Sequence, residues 1–82
     1  MSDPDLTSVL SAPVIKRSVM IAGHASSVSI EKPFWDALKD LAKHNGTSIN
    51  QLITDIDDAR PKTDAPVNLS SAIRLYVLAN LK

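Results

Sequence analysis

Ser26-Ser27-Val28-Ser29-Ile30-Glu31, followed at once by Lys32-Pro33-Phe34-Trp35-Asp36-Ala37-Leu38, is the stretch on which the fold turns. Over residues 25–31 polar and apolar side chains alternate with period two. A strand there buries Val28 and Ile30 and shows Ala25, Ser27, Ser29 and Glu31. Past Pro33 the period changes to about 3.6, and Trp35, Leu38, Leu41 and Ala42 fall on one helical stripe. Pro33 suits a first turn, where its missing amide proton has no helical acceptor to lose. The pattern predicts a strand over about 25–31 and a first helix, helix A, over about 32–45.

Working outward, Asn45-Gly46-Thr47-Ser48 breaks helix A with a residue pair that tolerates left-handed backbone angles, and then offers hydroxyls that can cap a second helix. That helix B, over about 48–59, carries Ile49, Leu52, Ile53 and Ile56 on one face, and Arg60-Pro61 stops it. Residues 62–67 read as a surface connection. Asn68 or Ser70 can cap a last helix over about 69–81, with Leu69, Ala72, Ile73, Tyr76, Val77 and Leu81 at helical spacing and Leu75 and Leu78 outside that stripe. Arg74 and Lys82 are its only charges, so burial at a subunit interface is expected.

Upstream, residues 14–23 are apolar and partly β-branched, with Lys16-Arg17 near the start and Gly23-His24 near the end. Two readings fit: an N-terminal extension of the ribbon strand, or a separate strand joined to it by a bend at Gly23. An extended segment broken at Gly23 is preferred. Residues 1–13 read as a flexible N-terminal arm, although Leu6, Val9 and Leu10 share the spacing of a short helix that could dock on a partner subunit.

A chain of 82 residues supports one domain, here residues 14–82, and is near the lower limit for a self-sufficient core. With no cysteine to supply a disulfide or a thiolate metal site, self-association is the expected source of further stability. The 44% hydrophobic content is that of a globular chain, yet no apolar run approaches the roughly 18 residues of a membrane span. Nothing resembles a basic secretory leader, and a cytoplasmic protein is expected. Nine basic and nine acidic side chains cancel, so any nucleic-acid binding must come from where charge is placed and not from its sum.

The order strand, helix, Asn45-Gly46-Thr47-Ser48-Ile49-Asn50, helix resembles the ribbon-helix-helix family of bacterial DNA-binding proteins, to which the Arc and MetJ repressors belong. Ser27-Val28-Ser29-Ile30-Glu31, Phe34-Trp35 and Asn68-Leu69-Ser70-Ser71-Ala72-Ile73-Arg74 together resemble an uncharacterised bacterial subgroup with an added C-terminal helix. The resemblance implies a mainly α fold with one short β-strand, an intertwined homodimer, and an intermolecular two-stranded antiparallel ribbon that enters the DNA major groove. It implies base-facing roles for Ala25, Ser27 and Ser29, and phosphate binding at the start of helix B through Thr47, Ser48, Ile49 and Asn50. Lys16 and Arg17 could add phosphate contacts, or be a solvated pair at a strand end. Val28, Ile30, Trp35, Leu38, Leu52, Ile53 and Ile56 would form the dimer core.

No catalytic site is legible. His24 and His44 are isolated, the two glycines exclude a Gly-rich phosphate loop, and no metal or cofactor is expected. The resulting expectation is a dimeric transcriptional regulator, a repressor in the manner of the family. Asp55, Asp57 and Asp58 oppose the dipole at the end of helix B, which suggests either a solubilising face turned from DNA or a protein contact. The alternative is therefore a protein–protein interaction module, antitoxin-like or adaptor, whose partner is met through the C-terminal helix.

Overall fold

The computed structural model describes residues 6–21, 23–60 and 68–81. The expectations for residues 1–5, for the stop at Pro61 and for the connection over 62–67 lie outside the described residues. Among those described, the chain forms α1 (Leu6–Leu10), β1 (Val14–Ile21), β2 (His24–Glu31), α2 (Lys32–His44), α3 (Ile49–Ala59) and α4 (Leu69–Ala79).

β1 and β2 form an antiparallel hairpin, from Val14 opposite Glu31 to Ile21 opposite His24. The fold class of one short β-strand is thereby corrected to two strands: of the two readings of residues 14–23, the separate strand joined by a bend at Gly23 is the one that holds, and β2 finds a partner within its own chain. The cause is local. Residue 23, in the two-residue connection, is a glycine at φ +82°, a left-handed angle that side chains disfavour, and the flanking segments both carry apolar residues on one face. Opposite residues of an antiparallel pair share a face. Ile15, Val19 and Ile21 therefore join Val28 and Ile30 on the inner face, with Val19, Ile21, Val28 and Ile30 fully buried and Ile15 partly so.

The helices cover that inner face. α3 packs on β1, α4 on β2, and both pack on α2. Trp35, Leu38 and Ala42 of α2, Leu52, Ile53 and Ile56 of α3, and Ile73 and Val77 of α4 complete one core. The seven residues expected in a dimer core are thus all buried within a single chain. Trp35 also pins β1, since its indole Nε1–H donates to the Ile15 carbonyl at 2.9 Å.

The α2–α3 junction is a Schellman turn. The Thr47 amide donates to the Ala42 carbonyl at 2.9 Å and the Gly46 amide to the Lys43 carbonyl at 3.1 Å, with Gly46 at φ +68°. Ser48 caps α3, its hydroxyl accepting from the Gln51 amide at 3.0 Å, and Asn68 caps α4 by accepting from the Ser70 amide at 2.8 Å. α4 stops at Ala79, with Asn80 as its C-cap. Leu81, expected on the buried stripe, is 72% exposed because the helix that would have carried it inward has ended.

Candidate nucleic-acid interface

Ile15, Val19, Ile21, Val28 and Ile30 of the hairpin's inner face are taken up by the core, and the outer face is open along its whole length. By register that face pairs Met20 with Ala25, Ser18 with Ser27, Lys16 with Ser29 and Val14 with Glu31. The six residues of the first three pairs are all exposed. Ala25, Ser27 and Ser29, expected to face bases, do lie side by side there. Ser18 and Met20 were missed because β1 was not firmly read as a strand. The signal was a β-branched, partly apolar run over residues 14–21 set apart from the period-two run of β2 by Ala22-Gly23.

Lys16 and Arg17 part company. Lys16 belongs to the outer face, opposite Ser29. Arg17 belongs to the inner face at its edge, with its guanidinium carbon 5.4 Å from the centre of the Trp35 ring, a cation–π contact. Glu31, the one acid in the outer register, is turned toward α4, where Arg74 donates to both carboxylate oxygens at 2.9 and 3.2 Å. The Arg74 hydrogen bonds hold the Glu31 carboxyl below the ordinary glutamate range, helped by its own backbone amide and opposed by partial desolvation. With the Glu31 carboxylate paired to Arg74, Lys16 is the other charged residue in the ribbon's outer register.

The free edge of β2 is also defined. Lys32 N–H donates to the Pro13 carbonyl at 2.8 Å, one residue beyond the Val14–Glu31 pair. Hydrogen-bonded and non-hydrogen-bonded pairs alternate along an antiparallel ladder, so the backbone groups of Ala25, Ser27 and Ser29 point away from β1. Their side chains are too small to shield that edge.

At the start of α3 the four residues expected to hold phosphate differ in what they offer. The Thr47 amide is consumed by the Schellman turn, which corrects its inclusion as a free donor. Ser48 is the cap, and the amides of Ile49 and Asn50 occupy the first two helical positions, which have no intrahelical acceptor. Ile49's side chain packs on the core, while Asn50 is exposed. The opposite end of α3 is acidic but largely self-satisfied: Asp57 accepts from Arg60 at 2.7 Å and Asp55 from Gln51 at 2.9 Å. That last turn shares an open cleft of about 510 Å³ with the hairpin tip, lined by residues that include His24, Ser26, Asp57 and Asn68. The start of the 11-residue helix is one helix length away, about 16 Å.

A model of the ribbon-helix-helix domain matches residues 14–81, from the first strand of the hairpin to the last turn of the chain. The chain belongs to the ribbon-helix-helix family. Among solved structures this ribbon-helix-helix chain is similar to an uncharacterised protein from Bordetella pertussis Tohama I, with a TM-score of 0.73 and 28% identity, over 95% of this chain and 69% of that one. No curated protein matches it. The family's members are usually DNA-binding transcription regulators, and the ribbon is the element they present. Among the described residues no group of three or more His, Cys, Asp or Glu side chains could hold a metal, and no helix is long and apolar enough to cross a membrane.

Proposed function

We propose that this ribbon-helix-helix protein is a cytoplasmic transcriptional regulator that binds duplex DNA as a homodimer and acts by binding, not catalysis. The observation that carries the reading is the outer face of β2: Ala25, Ser27 and Ser29 are exposed, small and aligned, above an inner face that is already packed. Two copies of β2, joined edge to edge through the free backbone groups of Ala25, Ser27 and Ser29, make a two-fold ribbon of major-groove width with those residues on its crest. β1 of each chain then flanks the ribbon, and Lys16 reaches a phosphate on either side. The amides of Ile49 and Asn50, with the Ser48 and Asn50 side chains, supply a second phosphate anchor. Repression, by occupying a promoter, is the mode this arrangement suits.

The test is selection of fragmented genomic DNA by the purified protein at low and moderate salt. Enrichment of a short inverted or tandem repeat that fades as salt rises supports the reading, because phosphate contacts release counterions. A folded protein that enriches no sequence at either salt overturns it.

A further inference from the structure

We infer that the cleft between the α2–α3 turn, α3 and α4 is a binding site for a small aromatic amine. Leu52, Asp55, Ile56 and Ala59 recur at the spacing of one helix face, and Tyr76 of α4 with Asn45 and Thr47 of the turn completes a cleft of about 450 Å³. Small-molecule sites are clefts of roughly 300–1,000 Å³ with a mostly apolar lining and a few convergent polar groups. This one has that composition. Leu52, Ile56 and Ala59 supply apolar surface, the half-buried Tyr76 supplies a ring, and no described residue of the hairpin takes part. The cleft is therefore separate from the ribbon's outer face.

The lining also selects the ligand's charge. Asp55 is the only charged residue among the described residues that line the cleft. Its Oδ1 accepts from Gln51 Nε2 at 2.9 Å, which leaves Oδ2 for a donor on the ligand. The Tyr76 hydroxyl accepts from Asn45 Nδ2 at 3.4 Å and keeps its own hydrogen to donate, and the Thr47 hydroxyl can do either. An ammonium is the group that a carboxylate and a tyrosine ring attract together, while the apolar surface takes a flat hydrocarbon ring. An arylalkylamine carries both on one short chain.

The test is a chemical-shift titration of the isotope-labelled full chain with phenethylamine and, as its charge-reversed counterpart, phenylpropionate, at pH 7 and fixed ionic strength. The amine is expected to shift the backbone amides of Asn45, Thr47, Leu52, Asp55 and Ile56 saturably, and the carboxylate to bind about tenfold more weakly. Asp55→Asn, at an exposed position, is expected to weaken the amine about fivefold, and Asp58→Asn, on the same helix but outside the cleft, to leave it unchanged. Ala59→Phe fills the cleft from an exposed position and is expected to abolish the shifts in a chain whose spectrum stays folded. Equal affinities for amine and carboxylate, equal effects of the two Asn variants, or no saturable shift at these amides overturns the proposal. So do shifts at the same amides that follow protein concentration alone, which put a second copy of the chain in the cleft.

Discussion

Glu31 and Arg74 are 43 residues apart and tie the end of the ribbon to α4. Because the folded state holds Glu31 below its ordinary range, the pair's contribution is complete above that range and is lost as pH falls through the lowered value. The wild type is therefore expected to lose thermal stability on acidification more steeply than Glu31→Gln; thermal melts from pH 7 to pH 3 check this, and parallel curves refute it. Asp36 is lowered too, chiefly by the hydrogen bond from Lys32 and further by the charges of Lys32, Lys39 and Arg17. It adds to the same trend in both proteins, so the difference between them isolates Glu31. Trp35 makes another long-range polar contact. Replacing it by Phe keeps most of the buried ring but removes the bond to Ile15, whose carbonyl retains its ladder partner, so the cost is expected at about 1–2 kcal/mol. Urea unfolding followed by circular dichroism measures it, since the variant lacks the only tryptophan. Burial of Trp35 was legible from its helical stripe. Its bond to Ile15 was not, because nothing in the sequence says which strand crosses the indole.

At the scale of elements, the α2–α3 turn was readable almost completely, and the hairpin was not. Asn45-Gly46-Thr47-Ser48 encodes its geometry residue by residue: a left-handed glycine, then a hydroxyl that accepts from the third helical amide. No neighbour lies within 4 Å of a Cβ built on Gly46, so Gly46→Ala tests conformation alone. It is expected to destabilise the fold by about 1 kcal/mol, and Gly46→Asn by less, because Asn tolerates left-handed angles. Equal midpoints in urea for Ala and Asn would mean that the turn relaxes. The hairpin was obscured by Lys16-Arg17, which interrupts the apolar pattern of β1. Arg17 occupies an inward register position through its contact with Trp35, an arrangement that only the fold reveals. An extended segment over residues 14–23 was legible, but without its register against β2 the places of Ser18 and Met20 on the ribbon's outer face were not.

For the molecule as a whole, the formal charge of zero made DNA binding look poorly supported, yet three of the described acids are paired with bases of the same chain. Asp36 pairs with Lys32, Asp57 with Arg60 and Glu31 with Arg74, while Lys16 sits on the ribbon's outer face. This arrangement separates two contributions that can be measured on one operator. Lys16→Gln is expected to flatten the dependence of log K on log salt by about 0.9 for each chain bound, with its preference among sequences retained. Ser27→Ala/Ser29→Ala is expected to keep the salt slope and lose about 1 kcal/mol or more of discrimination between operator and random DNA. Anisotropy titrations at three salt concentrations read both quantities. If Lys16→Gln instead erodes discrimination, β1 lies in the groove with β2, and a single hairpin is the reading ribbon. If neither variant changes either quantity, the outer face is a solvated sheet surface and the DNA-binding reading falls with it.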